Sequence, residues 1–303
     1  MGKAVPWFLL ALLVFFAPGF EARGQEEERQ PPRTEFPADG RIYLKTDVLP
    51  IAEVLFFVFR FRNSQTLFMA PHTSVAASWD FSGKDIEELI GALEKSSKLR
   101  IREVFGRDIF LAAPPKEFDV IKTLAESNLD VVSKTGFLPD EYCPKKFGNV
   151  NIIQGGAFMS AIAQCVTRAD HRVVLAQVPE GEIGYIGNWT KLAQGLSLAA
   201  AILGCQIYHS EGKDILDVAP ADSSRVLDMI PVAEPIPTDE PIRVLATIGD
   251  CGDARALIQF ERIWNVLGEK QSVDGNWRIQ KIRNGTVEMI EERSGQVKTF
   301  SVP

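Results

Sequence analysis

One pattern of secondary structure occurs twice in this chain, in residues 41–114 and again in residues 149–220. In the first helix of each stretch, apolar residues recur at i, i+3, i+4, i+7 and i+8, which places them on one helical face. These residues are Ile51, Val54, Leu55, Val58 and Phe59 in the first stretch and Phe158, Ala161, Ile162, Cys165 and Val166 in the second. The same order of strands and a second amphipathic helix follow in both, so the sequence predicts two copies of one βαββαββ module.

The spacing of matching positions supports a repeat. The first helices are displaced by 107 positions, and the closing pairs Ala113-Pro114 and Ala219-Pro220 by 106. A drift of this size is what a small loop insertion produces. A repeat of a compact module, with no catalytic group evident in either copy, is typical of a binding or scaffolding protein.

The segment 242–303 has a different pattern. It contains short stretches of alternating apolar and polar residues, which are typical of strands, and no helical periodicity. Asp274-Gly275 and Asn284-Gly285 are dipeptides that favour tight hairpin turns, because their residues adopt a positive φ at little cost. We therefore expect a small all-β C-terminal domain after the two modules, and an α+β fold class for the chain.

The remaining segments are predicted to connect these parts. Residues 25–40 are charged, contain prolines and show no periodicity, so we expect a disordered leader. Residues 115–148 form a connector with some helical periodicity, and the proline-rich residues 221–241 form a stiff linker.

Residues 1–24 have the pattern of a secretory signal peptide. Lys3 precedes an apolar run, and Ala22-Arg23-Gly24 provides small residues at the spacing of a cleavage site. The alternative is an uncleaved membrane anchor, although the apolar stretch is short for a span of about 20 residues. We expect cleavage, export to the periplasm and a mature chain that does not span the membrane.

The charge of the chain bears on nucleic-acid binding, and its cysteines bear on disulfide formation. The chain has 40 acidic and 33 basic residues, which gives no electrostatic basis for nucleic-acid binding. Its four cysteines would meet an oxidising compartment after export, and their pairing stays open. They are Cys143, Cys165, Cys205 and Cys251.

No catalytic, metal or cofactor site is predicted. The three histidines His72, His171 and His209 share no metal-ligand spacing with each other or with the cysteines. Cys251 has no histidine in its own segment to activate it as a nucleophile. The glycines after Gln154 lack the second half of a phosphate-binding loop and favour a tight turn. We therefore expect a protein that is not an enzyme.

The order of elements in each module, 41–114 and 149–220, resembles the short N-terminal domain of secretins and of signalling TonB-dependent receptors. The matching features are the helix from Ile51 to Phe59, the strand Val75–Phe81 before the second helix, and the closing segment Asp108–Pro114, which has a counterpart at Asp214–Pro220. The C-terminal segment resembles the periplasmic homology-region domain of type II secretion and type IV pilus components. Its matching stretches are Ala256–Phe260, Trp264, Gly268-Glu269, Val273–Ile279, Gly285 and Val287.

This resemblance implies a periplasmic adaptor that binds a secretin or an inner-membrane component of a secretion or pilus machine. Small modules of this kind bind through edge strands and apolar patches. The residues expected at the partner site are Leu257, Ile258, Phe260, Trp264 and Trp277. Alternation predicts that the side chain of Leu257 points outward and that those of Ile258 and Phe260 point inward. The competing interpretation is that all five of these residues form the core of the C-terminal domain. A second functional hypothesis is an envelope receptor or sensor.

The helix that starts at Ile51 is apolar over more than one face. Phe57 and Phe61 lie off the stripe formed by the core positions. A helix of this kind is usually buried on two sides. We favour packing within the chain and keep Phe57 and Phe61 as alternative partner contacts.

Overall fold

The architecture comes from a computed structural model, which describes residues 36, 39–62, 65–72, 76–106, 108–135, 152–167, 172–175, 180–187, 192–210, 215–221, 230 and 241–303. All of them belong to one compact unit, Thr34–Pro303. The predicted signal peptide, nearly all of the leader 25–40 and of the linker 221–241, and the connector beyond Thr135 lie outside the described residues. The fold is a mixed α and β structure made mostly of strands, with five helices in the described part.

The described part of 41–135 contains seven strands and three helices. In chain order these are β1 Ile42–Thr46, β2 Leu49–Pro50, α1 Ile51–Arg62, β3 Thr66–Met69, β4 Ala76–Ala77, β5 Asp80–Gly83, α2 Ile86–Ser97, β6 Arg100–Glu103, β7 Ile109–Ala113 and α3 Pro115–Thr135. The predicted helices α1 and α2 are confirmed. Helix α2 begins after Asp85, whose carboxylate accepts a hydrogen bond from the Glu88 N–H at 2.8 Å.

The described part of 149–220 contains five strands and two helices. They are β8 Ile152–Gln154, α4 Gly155–Thr167, β9 Arg172–Leu175, β10 Glu182–Ile186, α5 Leu192–Ile202, β11 Cys205–His209 and β12 Ile215–Pro220. Six strands follow: β13 Ile242–Gly249, β14 Ala254–Phe260, β15 Ile263–Gly268, β16 Trp277–Arg283, β17 Thr286–Glu291 and β18 Val297–Ser301. The prediction that 242–303 forms strands without a helix is confirmed.

Strand pairing can be described separately for the two predicted modules. In 41–114, β1 pairs antiparallel with β5, β3 pairs parallel with β7, and β7 pairs antiparallel with β6. In 149–220, β8 pairs antiparallel with β10, β9 pairs parallel with β12, and β12 pairs antiparallel with β11. Strand β10 also pairs antiparallel with β3, which joins the two regions in the sheet β6-β7-β3-β10-β8.

The C-terminal strands divide between two sheets. Strand β13 pairs antiparallel with β1, so the sheet β15-β14-β13-β1-β5 contains strands from both ends of the described chain. Strands β16, β17 and β18 form a separate three-stranded sheet. The segment 242–303, predicted as an all-β domain, therefore shares one of its two sheets with β1 and β5.

Three apolar clusters form the interior. The N-terminal core surrounds α1 and α2 and includes Leu44, Phe56, Phe57, Leu67, Leu93 and Leu257. The middle core is formed by α3, α4, α5 and the strands around them and includes Phe68, Phe158, Tyr185, Leu198 and Ile207. The C-terminal core lies between the sheet of β13 and the sheet of β17 and includes Phe36, Val244, Ile258, Ile279 and Met289.

Two residues from the predicted leader and linker are buried. Phe36, from the predicted disordered leader, is 4% exposed and belongs to the C-terminal core. Ile230, from the predicted linker, is 1% exposed, belongs to the N-terminal core and donates its N–H to the Glu182 carboxylate at 3.1 Å. Nothing in the sequence indicated these two contacts, because an isolated apolar residue carries no periodicity and still packs wherever a core has room.

Candidate protein-binding site

The residues predicted to contact a partner pack within the chain, three of them buried and four partly buried. The buried ones are Leu257, Ile258 and Phe57, and the partly buried ones are Phe260, Trp264, Trp277 and Phe61. Ile258 is fully buried in the C-terminal core, as the alternation predicted. Phe260 and Trp277 pack partly against the same core, and Trp277 stacks edge-on with Phe300 at a ring-centroid distance of 6.0 Å.

The prediction that Leu257 points outward to solvent is wrong. Leu257 is 5% exposed and packs in the N-terminal core. Alternation correctly places Leu257 and Ile258 on opposite faces, but both faces of this sheet are covered, one by the N-terminal core and the other by the C-terminal core. Strand β14 is also paired on both sides, by β13 and β15, so it has no free edge for strand addition.

The alternative contacts on α1 are also internal. Phe57 is 1% exposed, and Phe61 packs partly against the N-terminal core. Helix α1 contacts β3 and β10 of one sheet and β13 and β14 of the other. The prediction that this helix packs within the chain is confirmed, because two sheets cover it.

The free edge nearest to the predicted site is β15. It pairs with β14 through Leu257 opposite Val266, Gln259 opposite Trp264 and Phe260 opposite Ile263. No strand of the described chain pairs with its other side. Ile263 is 63% exposed, the largest fraction among the large apolar residues in the described ranges.

Strand β15 lacks the protection that edge strands usually carry. Natural edges are commonly protected from pairing by charged side chains. The edge strand β6 carries Arg100, Arg102 and Glu103, whereas β15, with the sequence Ile-Trp-Asn-Val-Leu-Gly, contains no charged residue. This edge is therefore open to another strand.

The turn before β15 is held in one conformation. Glu261 has a φ of 53°, in the left-handed region that favours glycine. Its N–H donates to the Pro241 carbonyl at 3.1 Å, and its own carbonyl accepts the side-chain amide of Gln259 at 2.8 Å. These bonds fix the start of β15 and present Ile263 to solvent in a defined position.

Trp264 is the one predicted site residue on this edge strand. Its ring packs partly against the N-terminal core, and its indole Nε1 is buried with no hydrogen-bond acceptor among the described residues. A buried donor without an acceptor costs about 1–3 kcal/mol. The site thus consists of Ile263 and Trp264 on β15. Sequence reasoning missed Ile263. Its signal in the sequence was an apolar residue that follows the charged pair Glu261-Arg262 and precedes Trp264.

The titratable groups do not assemble a catalytic centre in the described residues. His72 is buried, its Nδ1 lies 3.0 Å from the Ala70 carbonyl, and burial lowers its pKa. Burial raises the pKa of the Cys205 thiol to about 11, which keeps it protonated. Cys251 is exposed, and Cys143, Cys165 and His171 lie outside the described side chains. No group of three or more candidate metal ligands occurs in the described ranges.

Glu53 on α1 makes stability depend on pH. It is 7% exposed, and burial raises its pKa to about 7, against an opposing attraction from Arg60. Folded Glu53 keeps its proton between about pH 4.5 and pH 7 while the unfolded chain releases it, so stability should fall as pH rises through this window. We expect Glu53→Gln to be more stable than wild type by about 3 kcal/mol at about pH 8 and equally stable near pH 4.5.

Urea denaturation at the two pH values measures this difference, and Glu180→Gln is a matched control at an exposed glutamate. An equal effect of Glu53→Gln at both pH values would contradict a buried carboxyl that titrates near neutrality.

A scan against protein-family models, a search of curated proteins and a search of solved structures each find no match to this chain. In the described part of the chain, none of the helices is both long and apolar enough to cross a bilayer.

Proposed function

We propose that this chain is a non-catalytic periplasmic adaptor of a type II secretion or type IV pilus-like machine. It would be exported by a cleaved signal peptide and would bind a secretin or an inner-membrane component through the β15 edge. The observation that carries the proposal is an uncharged, unpaired edge strand that exposes Ile263 next to the partly buried Trp264. Backbone pairing with an added strand would supply affinity, and these two side chains would supply selectivity.

We also propose that 41–114 and 149–220 are two copies of one βαββαββ module, of the kind found at the N-terminus of secretins. Its support is the agreement in pairing. When the two-residue strands β2 and β4 are set aside, each region has five described strands, of which the first and third pair antiparallel, the second and last pair parallel, and the last two pair antiparallel. Three matching strand pairings, with the helices at the same places in the order of elements, support a repeat more strongly than the spacing of apolar residues alone.

The contact between β1 and β13 bears on how the adaptor works. The resemblance implies that a homology-region domain meets a secretin-type module of another protein, and here β13 pairs with β1 of the same chain. The edge of β1 is therefore already occupied. Among the C-terminal strands of that sheet, β15 keeps a free edge in the described chain, and the external partner is proposed to bind there. A sensor that relays occupancy to a membrane protein is the second hypothesis, and no separate observation favours it.

Capture from envelope extract tests the adaptor proposal. We expect the tagged wild-type chain to retain a secretin or an inner-membrane secretion component and Ile263→Lys to lose it at least tenfold, because a lysine at the edge opposes strand pairing. Val48→Lys is the matched control, since Val48 is 54% exposed and lies away from β15. Equal capture by wild type and Ile263→Lys would exclude β15 as the contact, and capture of no envelope protein would contradict the adaptor function.

A further inference from the structure

The strand β9 is a free edge with an exposed apolar side chain. It forms one side of the sheet β11-β12-β9, and none of the described strands pairs with its outer side. Val173 is 9% exposed and belongs to the middle core, whereas Val174 points to the other face and is 41% exposed.

The corresponding strand in the first region shows what covers such an edge. Strand β3 pairs parallel with β7 with Phe68 opposite Leu111, as β9 pairs parallel with β12 with Val174 opposite Asp217. Thus Phe68 and Val174 take the same place in the two regions. Phe68 is only 1% exposed, because β10 pairs with β3 and brings Tyr185 against it at a ring-centroid distance of 5.1 Å.

The chain contains a second strand of the β10 type. Strand β5 takes the place of β10 in the first region, since each pairs antiparallel with the first strand of its region and precedes the second helix. Strand β5 ends at Gly83, and β10 ends just before Gly187. Phe81 and Tyr185 each lie two positions before that glycine, so Phe81 is the counterpart of Tyr185. The outer side of β5 also has no partner strand in the described part of the chain.

We infer that β5 of one molecule pairs antiparallel with β9 of a second copy, repeating between chains the β10–β3 contact made within the chain. This inference rests on the proposed repeat. Phe81 would then lie against Val174 of the second copy, as Tyr185 lies against Phe68. The two edges differ, so the contact is heterologous and adds molecules head to tail, into a ring or an open filament.

Two features set the strength of this contact. Each edge strand has four residues, and β5 presents the exposed polar residues Asp80 and Ser82. The outer face of the sheet that contains β9 also carries the half-buried Asp217 and the exposed Tyr208. Asp217 takes the place that the fully buried Leu111 has in the first region. The contact therefore buries less apolar surface than β10–β3 does, and we expect reversible association that depends on concentration.

Sedimentation velocity of the purified full chain from micromolar to submillimolar concentration tests the inference. We expect the wild-type weight-average mass to rise beyond that of a dimer, to a constant value if a ring of three or more chains closes and without limit if a filament forms, and Val174→Lys to stay monomeric. Val120→Lys, at a residue 53% exposed on α3, should behave as wild type. A wild-type monomer over the whole range, a dimer that does not grow, or unchanged growth in Val174→Lys would each overturn the inference.

Disulfide trapping identifies the strands in contact. In a background with Cys143, Cys165 and Cys251 replaced by serine, Phe81→Cys and Val174→Cys are placed in separate chains, and circular dichroism checks that each is folded. Oxidation of the mixture should give a covalent heterodimer, because a direct cross-strand pair lies within disulfide reach. Cross-linking of Val174→Cys chains only to each other would overturn the head-to-tail arrangement. Envelope capture through Ile263 is measured separately, so either proposal can fail without the other.

Discussion

Replacing Phe68 with alanine should lower the free energy of unfolding by about 3–5 kcal/mol. Phe68 is 1% exposed on β3, and its ring meets Tyr185 of β10 at 5.1 Å and Phe158 of α4 at 6.0 Å, both edge-on. Truncation would therefore remove a large side chain and two aromatic contacts from the joint between 41–114 and 149–220. Urea denaturation followed by circular dichroism measures the loss.

Phe68→Leu is the matched control, because it keeps most of the side-chain volume and should cost under about 1.5 kcal/mol. The contact between β3 and β10 leaves little space for larger side chains, since a Cβ added to Gly184 would lie 2.7 Å from the Met69 Cβ. A loss below about 1 kcal/mol for Phe68→Ala would mean that the β3–β10 pairing is absent in solution.

Replacing Arg243 with methionine should destabilise the fold by about 2–3 kcal/mol. Arg243 on β13 forms an ion pair with Asp47, whose side chain is 9% exposed at the end of β1. Methionine retains the apolar part of the side chain and leaves the Asp47 carboxylate buried without its charged partner. Urea denaturation at neutral pH measures the loss.

A second substitution separates the charge from the packing. Asp47→Asn removes the carboxylate charge and keeps an oxygen that can accept the Val48 N–H, a bond of 2.7 Å in the wild type. We expect the double variant Arg243→Met, Asp47→Asn to be more stable than Arg243→Met alone, since no charge is then buried unpaired. If Asp47→Asn does not improve Arg243→Met, the ion pair does not hold the β1–β13 contact.

The helices and most strands follow from local pattern. The periodicity of α1 and α2, the Asp85 cap and the alternation in β14 are properties of a few neighbouring residues, so a short window of sequence carries the information that predicts them. This is why the order of elements could be predicted. The connector helix α3, which begins at Pro115, was recognised only as weak periodicity because much of its surface is polar.

The candidate site was predicted only in part. Alternation separated Leu257 from Ile258, but it could not reveal that the face carrying Leu257 would be covered by α1 and its neighbours. The pattern of one strand states which residues share a face and says nothing about what packs on that face. Trp264 was identified from the resemblance, whereas Ile263 became visible as a surface residue only when the turn at Glu261 was seen.

The amino-acid sequence by itself indicated the helices, most of the strands and the run of strands without a helix after residue 242. Tertiary structure alone decided which edges meet. Strand β10 joins β3, β13 joins β1, and Phe36 and Ile230 fill cores far away along the chain. The physical reason is that every strand edge offers the same backbone donors and acceptors, so the choice of partner depends on the packing of whole faces rather than on the sequence of either edge.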